Sequence, residues 1–446
     1  MRIFKNKILS RVLSLLSIVL LTIGMDQGLG YLLAPITYAT YFSHDVRELE
    51  KAGEKADVVF IGASRIMKTF DTRVFEDEWG MKCVLNAGSS AQPISATYYQ
   101  LKDLIERMHP DRVYIGAAID ELLSDREDPL NWRLQVLDRL SLKNKILMVL
   151  DCFASEEAIY LLQTYRHNEN LDIENIRRNV REKTALRKTG ERLRADIFDY
   201  YVGNGFTYNR YSCAPGTIPI TGAADFSPDK VSEDKLKYLD ACIKLCKDNN
   251  IEVALVSGIT SVMRMYACTG YQEANDFYKS YAEENGIKYY NLNYMKDRES
   301  LLPDNKMCDY NHCNGEGARI ASEFFAQVVK KEEAGEDTSQ YFYRDLDDFR
   351  KSVKRIVAVG AEISEGEREN TVHMSIRSLQ NDDAAPLYRI LLCGQGENEY
   401  SVAQDWTSES ELDIALGDAP SYMIKVEAGA KDRSYGTASQ EYTHEK

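Results

Sequence analysis

The sequence predicts an α/β protein: a parallel sheet with helices on both faces, a helical insertion, an N-terminal membrane helix and a small C-terminal all-β domain. Three observations predict it. Short apolar runs ending at turns alternate with amphipathic helical stretches, which is the pattern of a sheet buried between helices. The charge is uneven: the 446 residues carry a net −15, and the part after Lys331 supplies −12 of it, with 24 Asp and Glu against 12 Lys and Arg. Such a step marks a domain boundary near Lys331. Finally, the first 35 residues are basic and then apolar, unlike anything downstream.

At the N-terminus, Arg2, Lys5, Lys7 and Arg11 precede the apolar run Val12–Met25, which resumes as Gly28–Ala34 after Asp26 and Gln27. The first run is shorter than the roughly 20 residues that span a bilayer. No clean small-residue cleavage site follows it. Residues 1–35 therefore read as an uncleaved signal anchor, with a cleaved signal peptide as the alternative and a buried amphipathic helix as a third reading. The basic flank places the rest of the chain on the extracytoplasmic side of a cell membrane, in single-pass topology.

Residues 40–331 hold the α/β pattern. Asp57–Gly62 reads as a buried first strand, Cys83–Leu85 as a second, Arg112–Gly116 as a third, Ile251–Ser257 as a fourth and Ile287–Leu292 as a fifth. Helices are expected over Ser95–Met108, Glu233–Asp248, Asn275–Asn285 and Gly315–Lys330. An insertion at about 121–229 separates the third and fourth strands. It follows a strand's carboxyl end, where open α/β sheets bind ligands, so it is either a lid or substrate wall, or an embellishment that only adds core. Residues 340–430 alternate in short runs and suggest a small β-sandwich. Residues 431–446 are polar and read as a disordered tail.

Composition excludes several classes. Hydrophobic residues at 44% and charged residues at 28% exclude a disordered or fibrous chain. An acidic chain lacks the phosphate-neutralising surface of a nucleic-acid binder. The nine Cys show no metal-ligand spacing; Cys242 and Cys246 lie four apart on a predicted helix without a second pair, so no metal site is expected. The 28 Tyr serve packing or stack on sugar rings.

Three short segments could carry chemistry. Gly62-Ala63-Ser64-Arg65 follows the first strand and exposes the Ser64 hydroxyl at the sheet's carboxyl edge. Asn86-Ala87-Gly88 follows the second, where a glycine lets backbone approach a ligand. Asp309-Tyr310-Asn311-His312 precedes the last helix; an Asp and a His three apart can orient an imidazole toward a serine. In order and placement, these segments resemble the blocks of the SGNH (GDSL-like) hydrolase superfamily over about 57–330, the insertion excepted. With the N-terminal anchor, the chain looks most like the envelope-facing branch that includes alginate and peptidoglycan O-acetylation proteins and the teichoic-acid D-alanine transfer protein.

The resemblance implies an SGNH-like, flavodoxin-like sheet. Ser64 would be the nucleophile, His312 the general base and Asp309 its orienter. The N–H groups of Ser64 and Gly88 would form part of the oxyanion hole. It also implies a cell-surface glycan or acylated polymer as substrate, a multi-spanning membrane acyltransferase as a possible partner, and no cofactor. One block departs from the family: its Gly-x-Asn-Asp, whose Asn feeds the oxyanion hole, is here Gly116-Ala117-Ala118-Ile119-Asp120-Glu121. An ionised Asp120 would repel an oxyanion, so either another donor substitutes, with Asn86 and Asn311 as the candidates, or activity is slow, or the chain is a non-catalytic relative; the other reading of the two is that Asn86 only stabilises its turn and Asn311 only caps the helix that follows. Arg65, Asn311 and Asp120 are the substrate-binding candidates. Cys308 and Cys313 flank the Asp-His loop, as free thiols or as a staple.

The function expected is a membrane-anchored serine esterase or O-acyltransferase that works on a cell-envelope polysaccharide through an acyl-serine. The alternative is an inactive scaffold subunit of a surface-polymer export or modification complex. A secreted lipase is a third reading and predicts an apolar cleft beside Ser64.

Overall fold

The computed structural model describes residues 14, 17, 21–126, 129–190, 199–353, 356–381, 384–430 and 437–445. Seven strands precede the C-terminal part: β1 (Val58–Ile61), β2 (Val84–Asn86), β3 (Arg112–Gly116), β4 (Asp199–Gly203), β5 (Phe206–Asn209), β6 (Glu252–Ser257) and β7 (Lys288–Asn291). Five of them form one parallel sheet in the order β2-β1-β3-β6-β7. Successive side chains of a strand point to opposite faces. Val58 and Phe60 accordingly enter one core with Tyr114, Val256 and Phe325, while Val59 and Ile61 enter a second with Val113, Leu255 and Leu104. Burial on both faces explains why these strands are continuous apolar runs in sequence. The order reverses between β1 and β3, so the loops after these two strands diverge and leave a crevice at their carboxyl ends.

Helices Tyr38–Ala52, Ile94–Met108, Glu233–Asp248, Tyr271–Glu284 and Gly315–Glu333 cover the sheet. Gly315–Glu333 runs three residues past the expected end, into the charged stretch that follows Lys330. The insertion is helical from Leu130 to Thr189, and then forms the antiparallel hairpin β4–β5. The hairpin docks on the end of β2: the Asn86 N–H donates to the Asn204 carbonyl at 2.7 Å. Gly205 makes that approach possible. Its φ is +92°, and a Cβ there would stand 1.8 Å from the Asn86 carbonyl oxygen.

The C-terminal part contains β8 (Ile356–Glu365), β9 (Thr371–Gln380), β10 (Pro386–Gly394), β11 (Ser401–Thr407), β12 (Glu411–Ala415), β13 (Ser421–Ala430) and β14 (Ala438–Glu445). They form a four-stranded sheet, β11-β10-β13-β14, and a three-stranded one, β12-β9-β8. Ile356, Met374, Ile390 and Val426 fill the core between them. β14 corrects the expectation of a disordered tail over 431–446. Ala438–Glu445 pairs along β13 from Ser421 to Ala428, Ala438 is fully buried and the Ala361 N–H donates to the Tyr442 hydroxyl oxygen. The segment is polar because it is an edge strand whose side chains mostly meet solvent. Residues 431–436 and 446 lie outside the described residues.

Residues 21–33 are helical. Among the described residues no helix is long and apolar enough to cross a membrane. Of the expected apolar run Val12–Met25, residues 12, 13, 15, 16 and 18–20 lie outside them.

Two glycines test the hairpin dock. Gly205 and Gly396 both have φ +92°, but nothing stands within 4 Å of a Cβ built on Gly396. Gly396→Ala carries backbone strain alone and is expected to cost about 1–2 kcal/mol. Gly205→Ala adds the clash with Asn86 and is expected to cost about 3 kcal/mol or more. Urea denaturation midpoints of the two variants measure the difference.

Candidate active site

β1 ends in the Gly62-Ala63 turn, and Ser64 opens the six-residue helix Ser64–Thr69. At the other end of the sequence, the loop before helix Gly315–Glu333 brings His312 to it. The Ser64 hydroxyl lies 2.8 Å from His312 Nε2, and His312 Nδ1 lies 2.8 Å from Asp309 Oδ2. A carboxylate on Nδ1 fixes that nitrogen as the protonated one and leaves Nε2 to accept the serine proton.

Asp309 also shapes its own loop. Its Oδ1 accepts the backbone N–H of Asn311 at 2.6 Å and of His312 at 2.9 Å. Burial pushes the Asp309 carboxyl up, but the His312 ring and these two N–H groups outweigh it and hold it below the ordinary carboxylate value. The loop is closed by the Cys308 N–H on the His312 carbonyl. The Ser261 hydroxyl pins it from outside, donating to the Tyr310 carbonyl at 2.6 Å. Cys308 and Cys313 are free thiols, and burial pushes Cys313 up to about 12.

Two predicted oxyanion groups are committed elsewhere. Asn86 is fully buried. Its Nδ2 donates to the carbonyls of Ile66, Met67 and Phe70, and its Oδ1 accepts the Gly88 N–H at 3.1 Å. Asn86 therefore fastens the Ser64 helix to the end of β2, and the Gly88 N–H is spent on it. The glycine is still required, because a Cβ on Gly88 would stand 2.6 Å from the Met67 nitrogen. The Asn311 side-chain oxygen lies 3.3 Å from the Thr260 hydroxyl, and the cap of helix Gly315–Glu333 is Asn314, not Asn311. The backbone N–H groups of Ser64 and Arg65 make no hydrogen bond among the described residues. They sit at the positive end of a helix turn, where an oxyanion gains most.

Arg65 and Asp120 find each other. The Arg65 guanidinium donates to Asp120 Oδ1, and Arg264 Nη2 donates to Oδ2 at 3.1 Å. Both arginines are buried, at 7% and 4% exposure. Burial pushes Asp120 up, but Arg65, Arg264 and Arg126 win and hold it far below the ordinary range. With both oxygens engaged by cations, Asp120 does not present the bare negative charge that its position in sequence suggested. Arg264 also lies over the Tyr310 ring, 5.7 Å from its centroid, so the triad touches the Asp-His loop as well as the helix of Ser64.

Sequence reasoning missed Arg264, Lys68 and Arg139. Lys68 is buried on the nucleophile's helix and pairs with Asp199 of the insertion hairpin at 2.5 Å. Arg139, from the insertion, donates to the Ala87 and Gly88 carbonyls at 3.2 and 3.1 Å. Burial pulls its pKa down to about 10. The hydrogen-bond partners of their side chains lie 42 to 144 positions away, so no local pattern announces them. The Cys242 and Cys246 thiols are buried in the core face of helix Glu233–Asp248.

No protein family and no curated protein matches the chain. Among solved structures it is similar to a GDSL-like lipase from Bacteroides thetaiotaomicron VPI-5482, at 15% identity over 66% of this chain and 100% of that one, with a TM-score of 0.30. It is also similar to a psychrotrophic esterase from Pseudoalteromonas sp., solved with monoethylphosphonate as inhibitor, at 10% identity over 62% and 99% of the two chains, with a TM-score of 0.29.

Asp120→Asn is expected to cost about 3–5 kcal/mol, because it removes the carboxylate that both buried arginines pair with. The sign of the pH effect follows from the depressed carboxyl. In the unsubstituted chain, Asp120's contribution is complete above the unfolded value of 3.8 and is lost as pH falls through its lower folded value. Denaturation midpoints from neutral to acid pH should therefore converge for the two chains.

Proposed function

We propose that the chain is a serine esterase or O-acyltransferase that moves acyl groups on a cell-envelope polysaccharide. The observation that carries the chemistry is the continuous line Ser64 Oγ, His312 Nε2, His312 Nδ1, Asp309, with both hydrogen bonds at 2.8 Å. That distance is within reach for general-base proton transfer.

The steps follow from the geometry. Ser64 Oγ attacks the ester carbonyl carbon as His312 Nε2 takes the hydroxyl proton. Asp309 stays ionised and stabilises the imidazolium. The carbonyl oxygen gains charge beside the free N–H groups of Ser64 and Arg65. Collapse of the tetrahedral intermediate breaks the ester C–O bond, and His312 returns the proton to the departing alkoxide. An acyl-serine remains. In the second half, His312 deprotonates water for hydrolysis or a sugar hydroxyl for transfer, and the acyl group leaves Ser64. No step draws on a cofactor.

Location and partners belong to the same proposal. The basic-then-apolar start of the sequence supports a single-pass anchor with the site on the extracytoplasmic side. An acyl donor on the other side of that membrane requires a multi-spanning partner to deliver it. One observation favours the scaffold alternative: the Gly88 N–H and the Asn86 amide are already spent, which leaves backbone donors alone for the oxyanion.

The full chain in detergent should react with a fluorophosphonate probe and turn over acetyl esters. Ser64→Ala is expected to abolish labelling, and Asp309→Asn to lower kcat by about 10⁴-fold through the wrong imidazole tautomer. A folded chain that neither labels nor turns over ester above the Ser64→Ala background would select the scaffold reading.

A further inference from the structure

The described residues carry 16 exposed large hydrophobic side chains, and 11 of them fall within residues 21–31 and 142–173. Chance scatter over the surface does not give that concentration. On helical residues 21–33, Leu21, Met25 and Leu29 repeat every four residues; the first two are 66% and 65% exposed. On helix Leu142–Cys152, Leu142, Ile146 and Leu150 repeat in the same way, and Leu150 is 77% exposed. This second helix already buries Met148 and Val149 against the body, so it is apolar on two sides. A helix of that kind needs a second apolar environment.

The two stripes belong to one packed unit. Helix Leu142–Cys152 leads into the turns Ser155–Leu161 and Gln163–Arg166. Asp26, buried, accepts the N–H groups of Gln163 and Thr164, both at 3.0 Å. Asn179 donates to the Leu33 carbonyl at 2.9 Å, and Lys183 donates to the Tyr31 carbonyl. The helix over 21–33 thus turns its one acid and its end carbonyls to the insertion, and leaves Leu21, Met25 and Leu29 outside.

We infer that the Leu142–Ile146–Leu150 stripe of the insertion lies in the interfacial layer of a lipid bilayer, with the Leu21–Met25–Leu29 stripe as the part of the anchor that enters the same bilayer. The bilayer is preferred to a protein partner because the second stripe is the end of the apolar run that begins at Val12, behind four basic residues. A surface fixed beside the exit of a membrane anchor meets the same membrane. The inference rests on the anchor reading and adds to it: the insertion is a second, in-plane contact that sets the height and tilt of the site over the membrane.

The test uses the full chain reconstituted in phosphatidylcholine–phosphatidylglycerol vesicles, with and without bromine on the acyl chains. Leu150→Trp places a fluorophore in the stripe, and Val402→Trp, on the C-terminal sheet, is the control. The fluorescence that Leu150→Trp adds over the unsubstituted chain should drop about twofold or more in brominated vesicles, as expected for a side chain at the acyl boundary, with no drop for Val402→Trp. A chain that floats with the vesicles but shows no quenching at position 150 overturns the inference, leaves the anchor intact and assigns the stripe to a protein partner. A chain that does not float at all overturns the anchor reading, and the inference with it.

Discussion

One hydrogen bond of 2.8 Å joins residues 248 positions apart, and much of the fold serves to hold it. Ser64 stands on a helix of only six residues, too short to hold its own place. It is held from three sides. Asn86 gathers the carbonyls at its far end. Ser322, from helix Gly315–Glu333, accepts the Asp71 N–H and donates to the Thr69 carbonyl. Lys68 reaches Asp199 on the insertion hairpin. Helix Gly315–Glu333 also carries the His312 loop at its start, so one element fixes both partners of the bond. A shift of this helix moves Ser64 and His312 together, and the bond survives small motions.

The triad of Arg65, Asp120 and Arg264 sits where the strand order reverses. Taking three charges out of water is expensive, and buried ion groups seldom stabilise a fold more than apolar packing of the same volume. Their value here is geometric. Arg65 follows the nucleophile, Asp120 follows β3 and Arg264 underlies the loop of His312. The three cannot move apart without exposing a bare buried charge. The segment after β3 thus supplies a clamp on the Ser64–His312 pair.

What the sequence made legible follows from the range of the forces involved. β3 and helix Glu233–Asp248 were readable to the residue, because burial on two faces or on one helical stripe leaves a periodic trace. Ser64, Asp309 and His312 were readable from their placement at element ends. The roles of Asn86 and Asp120 stayed open, because a polar side chain takes its role from its partner, and these partners lie on other elements. Asn86 looks like a free amide until the short helix folds over it. The Ala438–Glu445 strand was misread for the opposite reason: its composition is that of a solvated tail, and only the open edge of β13 makes it a strand.

The insertion links what the separate observations leave apart. At one end its residues between Gln163 and Lys183 grip the helix over 21–33. At the other, Arg139 holds the Ala87 and Gly88 carbonyls and the β4–β5 hairpin caps Asn86. The carbonyl of Ala87 shares a peptide unit with the Gly88 N–H, so a cation on the first strengthens the second as a donor to Asn86. The segment that closes on the N-terminal helix is therefore also the segment that sets the turn behind the nucleophile. Under the proposed function, this connection would set the height of Ser64 over the surface that carries the polymer.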